Sequence, residues 1–217
     1  MKIKVWDGGT RLFHWSLVIL FTLSAYSAFQ DKYGIYAAIH LYSGVAILAL
    51  VIWRILWGVI GSDTARFSHF VKGPGATLAY AAKALRREPY TRVGHNPLGA
   101  VSVVLMLALL LAQTILGLYG TDAMFFSGPL ARTIDSGLSE ELTEIHEWIG
   151  FTLMGLVVVH LLAIVAYGVL RRANLVGPMI TGRKDVPEGS KAPRTANPLV
   201  ALGLFAAVAA AVWFSIL

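Results

Sequence analysis

From Trp148 to Leu170 the chain reads "WIGFTLMGLVVVHLLAIVAYGVL", without one Asp, Glu, Lys or Arg. A helix rises 1.5 Å per residue, so about 20 mostly apolar residues match the hydrocarbon thickness of a bilayer. Five stretches of the 217 residues meet this condition: 12–29, 35–57, 98–119, 146–170 and 198–217. In lipid every backbone N–H and C=O must be satisfied within the protein, and a helix does this within one segment. The composition agrees, with 57% hydrophobic and 14% charged residues, against roughly 25% charged in a soluble domain. The expected fold is therefore an all-α integral membrane protein.

The segments between the spans carry the rest of the organisation. "QDKYG" (30–34) is short enough to make the first two spans an antiparallel hairpin. The segment 61–97 is broken by Gly and Pro, and within it "ATLAYAAKALRR" (76–87) reads as an amphipathic helix lying along the membrane surface. The polar, Pro-containing stretch "RKDVPEGSKAPRTANP" (183–198) leads to the last span. The apolar run after "MKIKVWDGGTRLFHW" is too long for a cleaved leader and reads as a retained first span. Every Lys and Arg except Lys32 and Arg132 falls on the side of the N-terminus, the 61–97 loop and the 183–198 segment. The positive-inside rule then puts the N-terminus in the cytoplasm and the C-terminus outside. The net charge of +6 reports this topology and contact with anionic lipid, and nucleic acid is not an expected partner. Trp and Tyr residues such as Trp15, Tyr33, Trp57 and Trp148 sit at span ends, as an aromatic belt does.

The chain has no cysteine, which excludes disulfides, thioether haem attachment and thiolate ligation of iron–sulfur clusters. Histidine is then the obvious metal ligand. His146 and His160 lie fourteen residues apart, which on an α-helix is about 21 Å and about 40° short of four full turns. They point to one face at two depths and cannot share one ion. His40 stands near the external start of the second span and His14 near the cytoplasmic start of the first, so depth pairs His40 with His146 and His14 with His160. Bis-histidine ligation of an iron porphyrin between facing helices of a bundle fits this arrangement. Gly44, Gly150 and Gly155 would leave room for a macrocycle, and Arg11 and Arg54 stand where they can neutralise propionates of the inner haem. His69 and His95 fall in the cytoplasmic loop as surface or propionate-contacting groups, with quinone contact as their other role.

These motifs resemble the prokaryotic cytochrome b561 family, which includes the b-type cytochrome subunits of nickel–iron hydrogenases. "VWDGGTRLFHW" is similar to the opening motif around the first haem histidine, His14. "AIHLYSGVAIL" resembles the second-span motif, with His40, and "GHNPLGA" (94–100) the start of the third. "IHEWIGFTLMGLVVVH" carries His146 and His160, and "NLVGPMITGRK" resembles the tail after the fourth helix. The resemblance implies a four-helix transmembrane bundle over residues 1–184 in the bacterial inner membrane, holding two b haems. It also implies electron exchange between ubiquinone or menaquinone and a periplasmic hydrogenase or c-type cytochrome. Residues 185–197 then form a cytoplasmic linker and 198–217 an additional C-terminal transmembrane helix. The acidic external loop, with Asp122, Asp135, Glu140, Glu141 and Glu144, suits a basic soluble cytochrome.

Two other readings compete with this one. One branch of the family oxidises superoxide with quinone alone. A membrane anchor or transporter binding Zn²⁺ or Cu²⁺ would use the same histidines without redox chemistry. The acids nearest the membrane interior, Glu144 and Glu147, flank the external end of the fourth span, and no Asp, Glu or Lys lies deeper in any span, which argues against an ion-coupled transporter. Two-histidine sites far apart are also poor tetrahedral zinc sites.

Overall fold

The computed structural model describes residues 1–31, 33–84 and 93–217. In chain order the elements are β1 (Lys2–Lys4), α1 (Gly8–Ala28), α2 (Gly34–Ile60), α3 (Phe67–Phe70), α4 (Pro74–Ala84), α5 (Pro97–Tyr119), α6 (Ser136–Arg171), α7 (Val176–Thr181), β2 (Arg183–Asp185) and α8 (Pro198–Ile216). One 3₁₀ turn, Ala131–Thr133, precedes α6. The helices α2, α5, α6 and α8 are long and apolar enough to cross a membrane. The first span expected from sequence is present as the 21-residue α1, but Arg11, His14, Ser16, Thr22, Ser24 and Ser27 make it less apolar, and it falls outside that group of four.

Short polar side chains set where the helices begin. Asp7 Oδ1 accepts the Thr10 N–H at 2.8 Å, and its other oxygen takes the Thr10 hydroxyl, also at 2.8 Å. Asn96 Oδ1 accepts Gly99 N–H at 2.8 Å ahead of Pro97, and Asn197 Oδ1 accepts Leu199 N–H at 2.9 Å ahead of Pro198. Asp135 Oδ2 accepts Gly137 N–H at 2.9 Å. Each caps amides that have no partner inside the helix, and proline tolerates the first helical position because its missing N–H is not needed there.

The chain divides into two compact units. One comprises residues 1–12, 55–105 and 156–202. Here β1 pairs antiparallel with β2, Lys2 opposite Asp185 and Lys4 opposite Arg183. Ile3, Val5, Trp6 and Val186 form a buried cluster under this ribbon, with Val93 and Met179 packed against it. Gly182 ends α7 with φ +78°, and its carbonyl accepts the Val5 and Trp6 N–H groups. A Cβ there would sit 2.9 Å from the Trp6 carbonyl oxygen, so backbone angle and crowding both require glycine. Lys184 is half-buried in β2, and burial pulls its ammonium pKa below the ordinary 10.5. The 183–198 segment is tied down: Asp63 and Arg194 exchange two hydrogen bonds, and Ser62 Oγ accepts Ala196 N–H at 2.9 Å.

The other unit comprises residues 13–54, 106–155 and 203–217. Its loop 120–135 is fastened at its base by Thr143, whose Oγ accepts Thr121 N–H at 2.9 Å. At its tip Asp122 Oδ1 accepts the N–H groups of Met124, Phe125 and Phe126.

Two sequence expectations change here, and a third is met as far as the described residues reach. The fourth span belongs to a helix that starts at Ser136 rather than near His146, because Asp135 caps the chain there and "SEELTE" continues as good helix formers. The all-α expectation gains a two-stranded ribbon, whose strands are too short to register as a periodic pattern. The amphipathic segment is helical as α4 to Ala84; its basic end, Arg86 and Arg87, lies outside the described residues.

Candidate functional site

His40 on α2 and His146 on α6 face each other in one unit, with ring centroids 6.1 Å apart and planes at 77°. His40 Nδ1 lies 3.0 Å from the Ser24 carbonyl oxygen, and His146 Nδ1 lies 2.9 Å from the Gln113 carbonyl oxygen. A carbonyl only accepts, so both rings carry their proton on Nδ1 and keep the lone pair on Nε2. This is the tautomer of a metal-ligating histidine oriented by a backbone acceptor. Imidazoles each about 2.0–2.1 Å from one ion through a ring nitrogen have centres about 6 Å apart, which matches the observed separation.

The pair lines a cavity of about 380 Å³, whose walls include Ser27, Gly44, Gln113, Gly117, Gly150 and Phe151. That volume lies in the ordinary range of small-molecule sites, about 300–1,000 Å³. A Cβ at Gly44 would meet nothing within 4 Å, whereas one at Gly117 would stand 2.9 Å from His146 Cε1. Glycine at 44 thus leaves open wall, and glycine at 117 leaves room for the histidine ring. Among the described residues no three His, Cys, Asp or Glu side chains gather as a metal site. Any ion held by His40 and His146 needs its other ligands from a bound group, and a porphyrin supplies four in one plane. The residues present fit a haem.

The remaining sequence candidates are distributed as follows. His14 stands half-buried on α1 beside Trp15, the ring centroids 5.0 Å apart. His160 is half-buried on α6 in the other unit. Their pairing stays with the sequence argument. Arg54 is buried on α2, only 2% exposed, where a guanidinium needs an anionic or strongly polar neighbour. Arg11 donates to the Ile180 carbonyl oxygen at 2.6 Å, fastening α1 to α7. His95 packs its ring against Trp6 at 4.7 Å and Phe70 at 4.5 Å. With Asp63, His69 and Lys72 it lines a second, polar cavity of about 230 Å³. His69 Nδ1 lies 3.7 Å from Asp63 Oδ1.

The family model described as prokaryotic cytochrome b561 matches residues 5–182. The chain belongs to the prokaryotic cytochrome b561 family. No curated protein and no solved structure matches it. Membership makes the protein an integral membrane cytochrome of b type, with haem b as its electron carrier.

In this cytochrome the partners of His146 were the part that sequence reasoning missed. Gln113 and Gly117 are four residues apart on α5, as His146 and Gly150 are on α6. His146 lies over Gly117, and the Gln113 amide lies 3.2 Å from where a Gly150 Cβ would be. The signal was present as "QTILG" in the third span and "HEWIG" in the fourth, a matched polar-then-glycine spacing. The Ser24 carbonyl that holds His40 left no signal, because any residue offers a carbonyl.

Proposed function

We propose that the protein is a di-haem cytochrome b that passes electrons between the quinone pool and a redox partner on the periplasmic side of the bacterial inner membrane. The observation that carries this is the facing pair His40 and His146, each with Nδ1–H given to a backbone carbonyl and its ring lining a shared cavity. Those two residues would hold the outer haem. The inner haem rests on matched depth and motif in the sequence, with His14 and His160 as ligands and Arg54 near its propionates. Bound iron supplies reversible one-electron chemistry. The protein's own residues fix ring orientation, exclude water with an apolar wall, and keep the ligating nitrogens unprotonated. Arg11 is better used in joining α1 to α7 than in meeting a propionate. The polar cavity beside His95 and His69 is our choice for the quinone headgroup, since its imidazoles can donate to quinone carbonyl oxygens and accept from quinol hydroxyls. The acidic external loop would receive a basic partner such as a c-type cytochrome.

A reduced-minus-oxidised spectrum of detergent-purified protein, with pyridine haemochrome quantification, tests the reading. Two b haems per chain are expected, falling to one in both His146→Ala and His160→Ala. One haem in the parent would remove a histidine pair from the assignment. A colourless, folded protein prepared with haem available would return the function to a non-redox membrane role.

A further inference from the structure

In an antiparallel pair, opposite residues put their side chains on one face, with Cβ atoms about 4.5–5.5 Å apart. In the β1–β2 ribbon Ile3, opposite Lys184, belongs to the buried cluster, while Lys2, Lys4, Arg183 and Asp185 are exposed on the other face. Lys2 meets Asp185 there, an opposite charge, but Lys4 meets Arg183. Like charges directly opposite cost stability. A third cation stands at the same end of the ribbon. Arg11 donates to the Ile180 carbonyl oxygen, and its Nε lies 3.2 Å from where a Cβ on Gly182 would be, next to Arg183 in the chain. Among the described residues, Lys4, Arg11 and Arg183 have no carboxylate as an ion-pair partner.

Apolar surface begins beside these cations, within the same unit. Leu12, the residue after Arg11, is 69% exposed, and Val176 and Ile180, one turn apart on α7, are exposed as well. Cations bordering exposed apolar side chains at the start of α1 match the boundary between phosphate and acyl chain in a bilayer. We propose that Lys4, Arg11 and Arg183 bind the phosphate of an anionic phospholipid in the leaflet on the side of the N-terminus. Leu12, Val176 and Ile180 meet the beginning of its acyl chains. The lipid phosphate offsets the repulsion between Lys4 and Arg183, so the charge of the membrane itself holds the ribbon shut. An acidic protein or a free phosphate ion supplies the charge but nothing for the apolar border.

The test follows thermal melting of the delipidated full-length protein in a neutral detergent. Dioleoylphosphatidylglycerol, dioleoylphosphatidylcholine or inorganic phosphate is added at constant ionic strength. Phosphatidylglycerol should raise the parent's Tm, and neither of the others should match it. Lys4→Gln and Arg183→Gln should each need about fivefold more phosphatidylglycerol for the half-maximal rise, since one basic group at an anionic surface contributes about 1 kcal/mol. Before any lipid is added, both variants should melt above the parent, because the repulsion is gone. Melting below it there overturns the repulsion on which the site is argued. Lys191→Gln makes the same charge change in the segment beyond β2 and should respond as the parent does. The same phosphatidylglycerol dependence in the parent and both ribbon variants overturns the site, and a matching shift in Lys191→Gln reduces it to net charge. An equal response to phosphatidylcholine assigns the effect to acyl chains alone, and one to inorganic phosphate assigns it to a free anion; either overturns the lipid site. If one ribbon variant does not fold, the other decides alone.

Discussion

At the scale of single residues, the cavity depends on what is missing as much as on the two imidazoles. A methyl at position 117 would come within 2.9 Å of His146 Cε1 and 3.2 Å of its Nδ1. The ring would have to turn and strain its bond to the Gln113 carbonyl. Gly117→Ala should therefore weaken haem binding at this pair by about tenfold, the equivalent of roughly 1.4 kcal/mol. Gly44→Ala, which adds its methyl to open space, should leave the fold untouched. Hemin titration of Gly117→Ala against the parent checks this, and equal affinities would mean the ring has slack that the packing does not show. The histidines were legible because ionisable groups in a bilayer are rare and expensive. Gln113 and Gly117 were not, because an amide and a small residue in a span have many ordinary uses.

At the scale of elements, most helices could be read from apolar runs, and their starts from the Asn-Pro and Asp-Gly pairs that cap them. The β1–β2 ribbon could not, since three residues a side give no period and the partners lie at opposite ends of the family region. Its energetics offer a pH test. Burial holds the Lys184 pKa below its ordinary 10.5. Between the folded value and 10.5 the unfolded chain binds more protons than the folded one, so stability rises with pH through that window and the effect ends above it. Lys184→Met should then melt at a higher temperature than the parent near pH 7, with the difference shrinking as pH approaches 10.5. Thermal melting in detergent at the two pH values measures it. A difference that does not change with pH would assign the effect to packing rather than charge.

At the scale of the whole molecule, the distribution of Lys and Arg argues for a cytoplasmic N-terminus and an external C-terminus. A phosphatase reporter, active only outside the cytoplasm, should be silent when fused after Ser190 and active after Leu217. The reverse pattern would invert the topology and move the His40–His146 cavity to the cytoplasmic side. The long helices and their order followed from hydropathy, while the extra helical turns before His146 came from Asp135, a local cap that hydropathy does not see.

The strand at the start of the chain also says something about the order of manufacture. Met1 donates its amino group to Val186, 185 positions away, and β1 finds its partner only in β2. β1 can therefore pair only once α1, α2, α5 and α6 have all been made. The ribbon then closes like a clasp, with α8 following β2 in the chain.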